Sequence, residues 1–234
     1  MAVMAVPGTE QGNVPRRDVE ARARLTAVGL AKAPLVLARD RSIIVPGPLG
    51  AALPTVQRGT VVAVGGALGS GATSTVLGIA AAATAVGEWA AVLDGSGSLG
   101  GSAAAAAGVD LARLAVVRDV PRDRWSTVVA ALLDGVSVVV TELPRGIRLG
   151  DARRLVARAR ERAAVLVTLA PEARAWPAEA SVRIDARGGV WTGLGAGDGV
   201  LEGRVPVWEV SSRGRTSRAI TAAEPEVSTL ELAG

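Results

Sequence analysis

The sequence predicts an α/β fold, a mostly parallel sheet flanked by helices on both faces and followed by a C-terminal antiparallel meander. Three observations carry the prediction. Runs of Val, Leu and Ala at 61–64, 89–94, 113–118, 136–141 and 163–169 are continuously apolar rather than alternating, as strands buried on both faces require. Stretches of helical length separate them, which is the βαβ rhythm of a parallel sheet. After Pro177 the texture changes to the segments SVRIDA, GGVWTGLG and VPVWEVSS with glycine-rich joins, the pattern of antiparallel strands.

Taken in order, residues 1–15 are rich in Gly, Pro and small residues and read as an arm. Residues 16–32 have helical spacing, with Val19, Ala23 and Leu30 on one side, and Pro34 ends the run. A Pro/Gly-rich stretch then leads to the strand at 61–64. Helices are expected at 73–86, 99–107, 121–134 and 150–162, between the strands named above. Residues 1–40 thus form an arm and helix, 41–222 the core domain, and 223–234 an acidic tail with a short apolar patch. A chain of 234 residues suits one such core.

Composition excludes several chemistries. With no Cys and no His there is no thiol nucleophile, no disulfide, no imidazole base and no zinc or haem site of the usual kind. The core must be built from aliphatic residues and five Trp, because Phe and Tyr are absent too. The net charge of +4 is too modest to mark a nucleic-acid binder by itself. The most apolar segment, 76–92, is Ala-dominated and broken by Gly78, Gly87 and Glu88, short of the ~20 apolar residues a membrane span needs. No signal peptide is read at the N-terminus, and a cytoplasmic location is expected.

The chemistry-bearing motif is GGALGSGATST at 65–75. Gly66, Gly69 and Gly71 stand in the frame of a phosphate-binding loop, G-x-x-x-x-G-K-[ST], between a buried strand and a helix. Such a loop holds phosphate through converging backbone N–H groups and the positive helix end. Thr73 or Ser74 is placed to cap the helix or meet Mg²⁺. The lysine position, however, holds Ala72, which supplies no charge to the β/γ-phosphates, and no nearby lysine replaces it. A plain glycine-rich connection and residual weak ATP/Mg binding both remain open; hydrolysis does not fit. It needs carboxylates to orient water and hold metal, and the strand ends offer Asp94, followed by Ser96, and Glu142.

The order LPTVQRGTVVAVGGALGSGATST, AAVLDGSGSLGGSAAAAAGVDLARLAVVRD, DGVSVVVTELP resembles the core of the RecA recombinase family over about residues 42–222, most tellingly in GVDLARL at 108–114. The resemblance implies a RecA-like sheet. The departures fall on functional positions: Ala72 for the lysine, Ser96 for a glutamate, Thr141 or Glu142 for an aspartate, and short segments LPRGIRLG and APEARAWPAEA where a recombinase carries DNA-binding loops. Among RecA-fold paralogues the chain most resembles the actinobacterial ImuA-prime group. That resemblance implies a non-catalytic accessory protein of damage-induced translesion synthesis in the SOS response. Its implied partners are an ImuB-like Y-family protein and, through it, an error-prone polymerase. A weak nucleotide-dependent switch and a SulA-like division inhibitor are the alternatives, and self-association is compatible with all three.

Two further sets complete the expectations. Ala152, Leu155, Val156, Ala159 and Ala163 share one face of the helix at 150–162, leaving arginines outside. Arg145, Arg148, Arg153, Arg154 and Arg158 are the candidate contacts to a DNA backbone, against the simpler reading of a solvated helix face. Trp89 and Trp125 read as packing residues. Trp176, Trp191 and Trp208 with Arg213, Arg215 and Arg218 form the candidate partner surface, Trp being favoured at interface anchors.

Overall fold

The structure is a computed structural model and describes residues 41–194, 199–212 and 215–217. The helix expected at 16–32, the arm before it, the tail, and Arg213 and Arg218 lie outside the described residues, as does the side chain of Arg215.

The chain runs β1 (Ser42–Ile44), α1 (Gly47–Ala52), β2 (Thr55–Gln57), β3 (Val61–Gly65), α2 (Ala72–Thr84), β4 (Ala90–Leu93), α3 (Gly101–Ala106), β5 (Leu114–Val117), α4 (Trp125–Gly135), β6 (Val138–Glu142), α5 (Leu149–Arg162), β7 (Val165–Ala170), β8 (Val182–Leu194), β9 (Gly199–Ser212) and β10 (Arg215–Ser217). One sheet has the order β10-β9-β8-β3-β7-β6-β4-β5. Its strands from β8 to β5 are parallel, and β9 and β10 add antiparallel at one edge. The α/β expectation is met in its coarse form, with β3, β4, β6 and β7 buried along nearly all their length.

The two faces are packed by different helices. On one, Val62, Val64, Val92, Val140 and Val167 meet α2, Leu49 of α1 and Ala104 of α3. On the other, Val61, Ala63, Val139 and Leu166 meet Trp125, Val129 and Leu133 of α4 and Ala152, Leu155 and Ala159 of α5. Neighbouring residues of each strand serve opposite faces, as the pleat demands, so continuous Val runs fill both layers at ~1.5–3 kcal/mol per buried side chain.

Helix α2 is buried almost all round, which an amphipathic surface helix would not be. Its outer side is covered by the β1–α1–β2 unit, a segment the sequence presents only as a Pro/Gly-rich lead-in. Leu49 seats on Gly78, where an added Cβ would come within 3.2 Å of its Cδ2. Alanine richness is thus the condition for a helix sandwiched between two layers.

The C-terminal region is antiparallel as expected, with a different division into strands. SVRIDA and GGVWTGL form one 13-residue strand, β8, and the glycine pair at 188–189 is a β-bulge within it rather than a join. Only residues 182–185 of β8 pair with β3, so the rest of the β8–β9 hairpin runs past the end of β3. Ala163 also departs from expectation: it leaves the α5 face, adopting φ 52° at the C-terminal cap, and is exposed. No helix among the described residues is long and apolar enough to cross a membrane.

Candidate functional site

The GGALGSGATST motif forms the predicted connection from β3 to α2. Gly71 is the N-cap with φ 92°, a left-handed conformation that glycine takes without strain. The N-terminus of α2 has no side-chain cap. Thr73 and Ser74 are exposed and cap nothing, correcting that expectation; it is Thr75 that turns back, its Oγ1 donating to the Gly71 carbonyl at 2.9 Å. Thr75 Oγ1 in turn accepts from Trp208 Nε1 at 2.9 Å, tying β9 to the first turn of α2. Ala72 is buried.

A cation does reach the loop, from 134 residues beyond Ser70 in sequence. Arg204 of β9 donates through Nη2 to the carbonyls of Gly69 at 3.1 Å and Ser70 at 2.7 Å, and its guanidinium lies 5.5 Å from the Trp191 ring centre. It packs so closely that a Cβ on Gly71 would come 2.9 Å from Nη1. Arg204 therefore braces the carbonyl side of the loop, whereas a Walker lysine serves the phosphate. Two buried polar atoms here have no partner among the described residues, Ser70 Oγ and Arg204 Nε. Opposite the loop the cleft is walled by Glu172, Asp185 and Arg187, the last paired with Glu209 at 2.7 Å.

The carboxylates at the strand ends are engaged with one another's neighbours. Asp94 follows β4 with its side chain 2% exposed. It accepts from Arg118 Nε at 2.9 Å and from the amides of Ser98 at 3.1 Å and Leu99 at 3.2 Å. Burial pushes its pKa up, but the Arg118 hydrogen bond and charge with the two amides outweigh it, leaving the carboxyl below its ordinary value. Ser96, standing where a catalytic carboxylate is absent, donates to Glu142 Oε1 at 2.6 Å and lies 3.4 Å from Asp94 Oδ1. Between Thr73, Asp94, Ser98 and Glu142 the free space is about 40 Å³. The cleft lined by Gly66 to Ser70 of the loop is larger, at about 540 Å³. Among the described residues no three acidic side chains converge as a metal site.

The other expected sites divide. Arg154 and Arg158 face Asp151 at 3.5 Å and Asp134 at 2.6 Å, whereas Arg145, Arg148 and Arg153 are exposed and carry no such partner among the described residues. Trp176 and Trp208 are buried, at 1% and 5% exposure, with Nε1 donating to Glu179 O and Thr75 Oγ1; neither is available as a partner anchor. Trp191, 54% exposed, is. Trp125 is core, as expected, and donates to Thr141 Oγ1 at 2.9 Å, but Trp89 is half exposed. The sequence gives no sign of Arg204 or of the Arg118–Asp94–Ser96–Glu142 network, because each depends on contacts between distant segments.

Residues 51–178 match the family described as the MT3502 N-terminal domain, just over half of the 234 residues, and the chain belongs to that family. It is 41% identical over 99 residues to the uncharacterized protein Rv3395c of Mycobacterium tuberculosis (strain ATCC 25618 / H37Rv), a match covering 42% of this chain and 48% of that protein. The match therefore spans about half the length of the relative.

Proposed function

Starting from membership of that family, we propose that the chain is a RecA-like accessory protein without ATPase chemistry. In this reading it acts in damage-induced translesion synthesis as an adaptor for an ImuB-like Y-family protein and, through it, an error-prone polymerase. The resemblance to the ImuA-prime group supplies the process and the partner. The observation that carries the non-catalytic part is the closed network in which Ser96 joins Asp94 to Glu142, beside a loop with Ala72 at the charge position. Asp94 accepts from Arg118 and two backbone amides and Glu142 accepts from Ser96, so the strand-end carboxylates are engaged in holding the segment after β4. A relative in Mycobacterium is in keeping with an actinobacterial group.

With Trp176 and Trp208 in the core, the surface left for a partner is the β8–β9 hairpin, where Val190, Trp191, Val200 and Leu201 are all at least half exposed, together with the tail from Glu224. Pull-down of the ImuB-like protein by the full chain, the 224–234 deletion and Trp191→Ala tests this. Retention by the full chain and loss by the deletion supports the adaptor; no retention by the full chain refutes it. Because the deletion removes no residue of the described core, its melting temperature should match the full chain.

One observation favours the second reading, a weak nucleotide-dependent switch. Ser70 Oγ is buried without a partner among the described residues, beside an uncapped helix N-terminus, and an oxyanion would satisfy both. Glu172 and Asp185 in the facing wall weigh against tight binding, since Arg187 beside them is paired with Glu209.

A further inference from the structure

Two residues separate Ser212 of β9 from Arg215 of β10, and a connection this short fixes the register of the strands it joins. β10 follows that register through Arg215 with Ser212, Thr216 with Ser211 and Ser217 with Val210. The rest of β9, from Gly199 to Glu209, meets β8 on one side and no strand among the described residues on the other. Beyond Asp185 β8 no longer pairs with β3, so β8 and β9 continue as a two-stranded ribbon, an arrangement that is marginal in water by itself. One face of the ribbon carries Trp208, which seats on α2. The other carries Val190, Val205 and Val207, of which Val190 is half exposed and the other two are partly so.

We propose that the occupant of this open β9 edge is the chain's own segment RAITAA, residues 218–223, which continues β10 as the third strand of the ribbon. In the register already set, Arg218 falls opposite Glu209, Ile220 opposite Val207 and Ala222 opposite Val205, on the valine face. Ala219, Thr221 and Ala223 fall opposite Trp208, Pro206 and Arg204, on the face turned to α2. The residue types agree with both faces. Arg218 meets a carboxylate that Arg187 holds from the β8 side at 2.7 Å, Ile220 extends the apolar row, and small residues stand beside the buried indole of Trp208. A slip of one residue would set Arg218 and Ile220 on the α2 face instead, which is why the register is specific. Pro206 has no N–H, so the ladder is at most one bond short there, and Pro225 ends it. Closing the edge shields backbone groups that would otherwise pair with another chain. It also delivers the residues from Glu224 onward beside Trp191, Val200 and Leu201, so that the hairpin surface and the tail become one.

The inference does not rest on the adaptor reading, and its experiment uses the full chain alone. The sequence has no cysteine, so a pair can be placed without competing thiols. In the Val207→Cys, Ile220→Cys variant the thiols stand directly opposite each other on one face. Under oxidised glutathione they should join within the chain at least about tenfold faster than in the Val207→Cys, Thr221→Cys variant, whose thiols point to opposite faces. Migration on a non-reducing gel and intact mass read the bond. A second arm needs no cysteine: successive N–H groups of a strand alternate sides, so the Ala219→Pro, Ile220→Pro variant removes a ladder donor whichever of the two faces β9. Amide exchange at residues 200–209 should then quicken by about tenfold, while β6 and β7 stay as protected as in wild type. Equal rates for the two cysteine pairs, or unchanged exchange at 200–209 in the proline variant, would each overturn the proposal. So would a bond formed between two chains rather than within one, which gives the edge to a second copy. Failure of the ImuB-like pull-down with both results as expected would fault the adaptor reading and leave this one standing.

Discussion

Replacing Arg204 by alanine removes the brace between the β8–β9 hairpin and the phosphate-loop frame. Two hydrogen bonds from a charged donor are lost, at 3.1 and 2.7 Å, each worth ~1.5–3 kcal/mol where fully formed. Contact with a half-exposed Trp191 adds ~0.5–1 kcal/mol. Three things reduce the sum. Both bonds come from one nitrogen, the freed carbonyls can take water, and deletion also removes a buried Nε that had no partner, relieving ~1–3 kcal/mol. The expected net loss is about 2 kcal/mol, or a melting temperature lower by roughly 4–8 °C in a domain of this size. Amide exchange should quicken at residues 66–71 while β6 and β7 stay protected. Arg204→Lys should recover only part of the loss, since an ammonium cannot reproduce the planar fork. Thermal melting with exchange measured by mass spectrometry decides it. An Arg204→Ala protein that melts within 1 °C of wild type, by order of the ~2–4 °C expected per kcal/mol, with unchanged exchange at the loop, would refute the brace.

Gly65→Ala should abolish or severely impair folding, because a Cβ there would sit 2.0 Å from the Ala173 amide nitrogen and 2.5 Å from the Glu172 carbonyl carbon, backbone atoms that cannot swing aside; soluble protein with wild-type melting would contradict it. The depressed pKa of Asp94 gives an acid-sensitive contribution: it is present in full above the ordinary value of 3.8 and is lost as pH falls through the lower folded value. Wild-type melting temperature should therefore drop more steeply below pH 3.8 than that of Asp94→Asn, and parallel curves for the two would count against it. Ala72→Lys should strengthen nucleotide binding, read by fluorescent ATP analogue titration, without producing turnover, because Ser96 still supplies no carboxylate; turnover in that variant would show that the network does not block chemistry.

The alternation of strands and helices was legible because strands buried on both faces leave uninterrupted apolar runs, and β3, β4, β6 and β7 fall where those runs are. The phosphate-loop frame was legible for a similar reason: strand, glycines and helix are contiguous, so local sequence contains the whole motif. What escaped was whatever the sheet assembles from afar. Gly188 and Gly189 look like a turn in sequence, and only the pairing of Val190 with Val205 makes them a bulge in a continuing strand. The β1–α1–β2 cover hid behind prolines and glycines because its strands are three residues each, too short for periodicity to register. Trp208 and Trp176 illustrate the limit for surfaces: both lie in segments of mixed polarity, and their burial follows from Thr75 and Glu179 offering acceptors to the indole N–H groups. The paired and unpaired arginines of 145–162 cannot be told apart in sequence either, because Asp134 reaches Arg158 and Arg162 from the neighbouring helix α4.

The central claim is that this chain keeps the frame of a nucleotide-binding loop while its residues do no nucleotide chemistry. The most direct test is multiple-turnover phosphate release from ATP and Mg²⁺ by the purified full chain, alone and with the ImuB-like protein and DNA added, beside a Gly71→Asp control that strains the loop at φ 92° and sets a negative charge in it. The account predicts release indistinguishable from that control under every condition, and turnover by the wild-type chain that Gly71→Asp abolishes would contradict it.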